Sequence, residues 1–321
     1  MNKTVSTAVL AAALSIGCAT TIPVTMLKPA EIDLRGAGTV AILPFAFPSQ
    51  NQAPSLDAYQ AALYRLWYYD AREAPLERNV ARYIESQLSI SLFNTKRFTV
   101  TKADDLRSTA SQGDSTGKIG ADILVSGAIL TLTSAITNNS YTGSDGKYYE
   151  SYENRVVLEI RYDFISTADN ALIAVKSLHD QKSASGTYSA ISNSTEELAK
   201  KIVAEQIPTV IRAIAPYAVT ERRTLAIDET KDPQMAQADR LVRDGFYQKA
   251  FDLYTSVYAG NSNFAAGFNA AMVMEIMGDV DEAIAAMKAL ADASANPKAL
   301  REAQRMIKTR DEAALAASQT R

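Results

Sequence analysis

The chain of 321 residues contains one cysteine, Cys18, and one histidine, His179. That scarcity excludes an internal disulfide and a zinc cluster built from cysteine and histidine. It also removes most ways of pairing a thiol nucleophile with an imidazole base. A strong charge of either sign is missing too. The formal net charge is −3, and loss of residues 1–17, which carry Lys3 and no acid, would lower it by one. Nucleic-acid binders gather basic residues on one face, so no nucleic-acid partner is expected. Phosphate-cradling motifs are absent: there is no GxxxxGK followed by Ser or Thr, and no GxGxxG between a strand and a helix pattern. His179 stands beside Asp180 in a strand-like stretch and reads as a surface residue. The acid pairs Asp104–Asp105, Glu196–Glu197 and Asp281–Glu282 fall at helix starts, where negative charge suits the macrodipole. No catalytic residue, cofactor or metal is expected, and the chain reads as a non-enzyme.

What is present is ordinary for a globular protein: hydrophobic residues make up 47% and charged residues 21%. The length exceeds what one core usually holds, about 250–300 residues, so two domains are expected.

The first eighteen residues, MNKTVSTAVLAAALSIGC, begin with Lys3 and an apolar run from Val9 to Leu14. The run is short of the roughly 20 residues of a membrane-spanning helix, so it reads as a targeting segment. Gly17 stands immediately before Cys18. This arrangement resembles the bacterial lipobox, in which the cysteine thiol is acylated before the signal is cut. Ser15 stands where leucine is usual, and Leu14 lies one place earlier. The resemblance implies a signal peptide over residues 1–17 and a palmitate-bearing lipid on Cys18. Because Ala19 follows rather than aspartate, it also implies an outer-membrane anchor with the body in the periplasm. Residues 18–37, with two prolines and no sustained period, are predicted to be the lipid anchor and a partly extended tether.

Residues 38–227 alternate between strand and helix patterns. Thr39–Phe45 is a short apolar strand closed by Pro44 and Pro48, and Val80, Ile84, Leu88 and Leu92 make the four-residue stripe of a helix over 76–93. Strands are predicted over Arg97–Thr101, Ala121–Thr137 and Leu172–Lys182. In the return strand, Val156, Leu158, Ile160, Tyr162 and Phe164 alternate with Val157, Glu159, Arg161 and Asp163, so one face is buried and the other wet. Residues 194–214 read as a helix with Ser194 or Thr195 as N-cap and Glu197 set for a capping box. An insert over 47–75 carries Tyr59, Tyr64, Trp67, Tyr68 and Tyr69. It is either an interface or a helix laying its aromatic face on the sheet. Long strands with helices on one side make an α+β pattern.

The order TVAILPF, LFNTKRFTV, GADILVSGAIL and NRVVLEIRYDFISTADNALI resembles the CsgG-like curli-secretion lipoproteins and their periplasmic relatives, which include activators of cell-wall synthases. The resemblance covers residues 38–216 and implies a CsgG-like sheet with flanking helices. Secretion pores of that type build a barrel from two long membrane hairpins per subunit. Here TNNSYTGSDGKYYESY is polar at its tip, and SASGTYSAISNS between Lys182 and Thr195 is too short for two membrane strands.

In residues 232–321, Ala238, Leu241, Gly245, Tyr247, Ala250 and Tyr254 recur 33 residues later as Ala271, Met274, Gly278, Val280, Ala283 and Met287. The spacing resembles the tetratricopeptide repeat, whose period is about 34, and implies a small all-α domain capped by a helix over Pro297–Leu315. The resemblance places Asn269 where the family often has a groove asparagine, so Asn269, Tyr247 and Tyr254 are the candidate partner-binding residues. The same helices could instead be purely structural. The expected function is a periplasmic scaffold or adaptor that is lipid-anchored to the membrane and binds another envelope protein or peptide. The alternative is a subunit of a homo-oligomeric CsgG-like secretion channel.

Overall fold

The computed structural model describes residues 20–34, 36–47, 56–68, 74–111 and 120–320. The expected signal peptide, Cys18 and Tyr69 lie outside the described residues, as do the side chains of Trp67 and Tyr68. In chain order, strands β1 (Thr21–Lys28) and β2 (Thr39–Ala46) precede helices α1 (Ala58–Tyr68) and α2 (Pro75–Asn94). Strand β3 (Thr99–Lys102), helix α3 (Ala103–Ser111) and strand β4 (Ile123–Asn138) follow, then the short pair β5 (Tyr141–Thr142) and β6 (Tyr148–Tyr149). Next come strands β7 (Tyr152–Ser166) and β8 (Leu172–Gly186), helices α4 (Tyr188–Ile191) and α5 (Thr195–Ile214), and strand β9 (Tyr217–Thr224). Helices α6 (Pro233–Arg243), α7 (Tyr247–Asn261), α8 (Phe264–Met277), α9 (Val280–Ser294) and α10 (Pro297–Ser318) complete the chain. The class is α+β, as expected. The described residues form two compact units: those between 29 and 217 with 315–320, and residues 20–28 with 218–314.

In the first unit five strands make one sheet in the order β3-β2-β4-β7-β8. β2 runs parallel to β3 and β4, whereas β4, β7 and β8 pair antiparallel in turn. The predicted alternation of the return strand holds: Val156, Leu158, Ile160, Tyr162 and Phe164 are all buried. They share one cluster with Val80, Ile84, Leu88 and Leu92 of α2 and with Ile202, Val203, Ile207 and Val210 of α5. Each such side chain stabilises the fold by about 1.5–3 kcal/mol when fully removed from water.

Three local expectations are corrected. Helices cover both faces of the sheet, because TVAILPFA is apolar at successive positions and such a strand needs cover on both sides. Ala41, Leu43, Leu124 and Ile165 face away from α2 and α5 and pack with Ala62 and Leu66 of α1 and Ala103 and Leu106 of α3. Helix α1 is thus the insert's answer, with Tyr59 and Leu63 packed against that cluster. Second, β2 passes through Pro44 and ends at Ala46. Its register against β4 shifts between Ile42 and Phe45, which accommodates the residue without an N–H. Third, the capping box at α5 does not form. Glu197 pairs with Lys201 at 2.7 Å. The Ser194 hydroxyl instead donates to the Ile191 carbonyl and accepts from the fully buried Asn154 amide.

In the second unit, β1 pairs with β9 as a two-stranded sheet. The tether expected over 18–37 is therefore corrected for residues 21–28, which are a strand whose Ile22 enters the helical core. Leu225 and Ala226, which precede the boundary expected at 227, are buried among the helices. α6 packs on α7, α7 on α8 and α8 on α9, and Ala299, Ala303 and Met306 bring α10 into the same core. Among the described residues no helix is long and apolar enough to cross a membrane.

Candidate functional site

The 33-residue repeat is written in the backbone as well as in the side chains. Gly245 and Gly278 both have positive φ, 79° and 103°. Gly245 N–H donates to the Val242 carbonyl and Phe246 N–H to the Leu241 carbonyl. Gly278 and Asp279 repeat those bonds to Glu275 and Met274. This is the glycine-terminated helix end, in which a left-handed residue lets the chain fold back over its last turn. Ala238, Ala250, Ala271 and Ala283 are all fully buried, and their methyl-sized side chains permit close approach of neighbouring helices.

The residues expected to meet a partner do not form a free groove. Asn269 is fully buried, accepts the Ala226 N–H at 2.7 Å and donates to the Ala226 carbonyl at 3.0 Å. The segment after β9 thus holds the asparagine that the resemblance assigned to a peptide. Tyr254 is fully buried and donates to Asp239, with burial pushing its hydroxyl above the usual range. Tyr247 packs against the helical core. The segment is stapled further by Asp228, which accepts from Thr230, the Asp232 N–H and the Asn263 amide. Burial opposes ionisation of Asp228, yet hydrogen bonds from Asn263 and Thr230 hold its carboxyl below the ordinary range. β9 is fastened through the buried Arg223, which lies 3.5 Å from Glu275 and 2.9 Å from Glu221. Glu275 also pairs with Arg305 of α10. No linear signal marked that network, since its members are far apart in the chain.

The exposed recognition chemistry lies elsewhere, on the antiparallel ribbon. β4 is buried from Ile123 to Ile129 and exposed from Thr133 to Asn138, so its distal end leaves the core. β5 and β6 close the ribbon over a turn in which Gly146 has φ 76° and Gly143 N–H donates to the Lys147 carbonyl at 2.8 Å. Asp145 accepts from the Lys147 N–H and the Tyr149 hydroxyl, which hold its carboxyl below the ordinary range. The Tyr141 and Tyr149 rings stack at 5.2 Å, and Tyr152 meets Tyr188 edge-on at 5.4 Å. Tyr148 is 65% exposed, and Tyr141, Tyr149 and Tyr188 are exposed as well. At the base, Asn154 donates to Ser194 and Thr195 and accepts from Ser134, fixing the ribbon to the start of α5. Tyrosines already stacked and hydrogen-bonded lose little freedom on contact, which suits them as interface anchors. The sequence predicts a polar turn over this stretch, and the density of Tyr141, Tyr148, Tyr149 and Tyr152 is the signal that marks it as more.

Solved structures frame this geometry only loosely. A PelC dodecamer from Paraburkholderia phytofirmans is 16% identical, with a TM-score of 0.26 over 58% of this chain and 97% of that one. Lipoprotein GNA1162 from Neisseria meningitidis is 9% identical, with a TM-score of 0.27 over 54% and 97%. A minor lipoprotein from Acinetobacter baumannii is 8% identical, with a TM-score of 0.26 over 55% and 91%. No protein-family model matches the chain, and no curated protein sequence matches it. At TM-scores below 0.5 these similarities carry no functional weight. Among the described residues, no group of three or more His, Cys, Asp or Glu side chains is placed to hold a metal, and His179 is exposed on β8.

Proposed function

We propose that the protein is a non-enzymatic envelope lipoprotein, held at the outer membrane through a lipid on Cys18, that binds another envelope protein through its tyrosine-bearing ribbon. The observation that carries this reading is the ordered, exposed set Tyr141, Tyr148, Tyr149 and Tyr188 at the end of strands that outrun their own core. Aromatic residues are enriched at protein interfaces because they offer large contact area with few rotatable bonds. Replacing Cys18 by Ala should release the protein into the soluble periplasm. A photo-crosslinking residue at position 148 should trap one defined partner in cells, and Tyr141→Ala with Tyr149→Ala should abolish the adduct. Continued membrane association of the first variant would sink the anchor, and unchanged adducts in the second would sink the ribbon.

The same extension of β4, β7 and β8 beyond the core favours a second reading, a channel subunit whose ribbons pool in a homo-oligomer. Light scattering of the detergent-extracted protein separates the two: a monomer or dimer supports the scaffold, and a many-subunit ring supports the channel.

A further inference from the structure

A cavity of about 490 Å³ opens in the α/β unit where β3 stops at Lys102 while its parallel neighbour β2 continues to Ala46. Carboxyl ends of parallel strands are where open α/β sheets characteristically take ligands, because the helices leaving them diverge and leave a crevice. The early end of β3 has a local consequence. The Phe45 N–H, in the irregular part of β2, is received by the Glu85 side chain of α2 at 3.3 Å. Glu85 is thereby drawn into the wall, and burial pushes its carboxyl up to about 7.

The rest of the lining mixes the apolar Ile42, Pro44 and Ala103 with serines and with three cations that outnumber its one further acid. Arg82, Lys102 and Arg107 face Glu85 and Asp104 across the cavity, with the Ser86 hydroxyl beside them. Arg107 is held in place, donating to the Leu66 carbonyl and to Asp104, each at 2.7 Å. Arg82 and Lys102 are exposed, and the charge of Arg82 acts on Glu85. Two exposed cations and one fixed guanidinium around a concave space suit an anion. The volume lies in the range of small-molecule sites, about 300–1,000 Å³, and is well above what a bare phosphate fills.

We propose that this cavity binds a small hydroxylated anion, with the chemistry of a sugar phosphate, its charged group facing Arg82, Lys102 and Arg107 and a hydroxyl donating to Glu85. The assignment is independent of the ribbon and of the lipid anchor.

The test is titration calorimetry of the full-length protein in detergent, with glucose 6-phosphate, inorganic phosphate and glucose as probes. Glucose 6-phosphate should bind more tightly than phosphate, and glucose should give no heat. Arg82→Ala and Lys102→Ala should each weaken glucose 6-phosphate by about tenfold, the scale of one charge-assisted hydrogen bond. Circular dichroism should show both variants folded, since neither side chain is buried. Failure of the wild-type protein to bind glucose 6-phosphate at low-millimolar concentration would overturn the site. Equal affinity for phosphate would overturn the hydroxyl contact, and undiminished binding in both folded variants would place the ligand elsewhere.

Discussion

The two units solve core packing with different side chains. In the α/β unit the interior is Val, Ile, Leu and Phe, with Tyr162 and Phe45 meeting edge-on at 5.6 Å. In the helical unit it is dominated by alanine and methionine, such as Ala238, Ala250, Ala271, Ala283, Met235 and Met287. A helix lying on a sheet stands off by about 10 Å, and long apolar side chains must fill the gap. Helix pairs can approach as near as about 8 Å when small residues meet, so alanine is the interior residue there. One unit is therefore vulnerable to losing volume and the other to gaining it.

Reciprocal substitutions break or sharpen that contrast. Leu88→Ala should destabilise the α/β unit by about 2–5 kcal/mol, and Ala271→Leu should destabilise the helical unit by about 1–3 kcal/mol through overpacking. Denaturant unfolding followed by hydrogen exchange assigns each loss to its unit. If Ala271→Leu is tolerated without loss, the close-packed reading of the repeat is wrong.

The next effect is a pH dependence confined to the α/β unit. Glu85 holds its proton up to about pH 7 in the folded state, so folding is favoured below the ordinary carboxylate range and penalised as pH rises through 7. Stability should fall by about 3 kcal/mol between pH 4.5 and pH 8 from this group alone. Carboxylates held low by hydrogen bonds, such as Asp122 and Glu196, lose their contribution only at more acidic pH and do not mask it. Urea midpoints of Glu85→Gln should be flat across the interval, and a persisting slope would assign the effect to other groups.

A smaller loss, about 2 kcal/mol, is expected for Asn269→Ala, which leaves the Ala226 N–H and carbonyl without their buried partner. Faster exchange should be restricted to residues 224–230 and the facing part of α8. Smallest is a gain. The Tyr162 hydroxyl is buried without a partner among the described residues, so Tyr162→Phe should stabilise by about 1 kcal/mol, read as a raised unfolding midpoint.

Much of the fold was legible in the linear pattern. The stripe Val80–Ile84–Leu88–Leu92 and the alternation Val156 to Phe164 depend on periods of 3.6 and 2 that geometry imposes on any helix or strand. The paired glycines were legible because a helix end that turns back needs positive φ, which glycine adopts freely. The candidate site was less so. Asn269 sat at the position the repeat suggested, but whether its amide meets a ligand or the chain's own Ala226 depends on where a segment 43 residues earlier comes to lie.

The sequence by itself determined the central strands and the amphipathic helices, the turn glycines and the small-residue faces, since each follows from local sterics and the burial of one face. Only the tertiary structure decided that residues 21–28 pair with β9, that helices cover both sides of the sheet and that Arg223 meets Glu275. It also decided that Glu85 lines a cavity beside Arg82, Lys102 and Arg107. These are contacts between residues remote in the chain. Their partners are selected by how whole elements pack, and no local period records that choice.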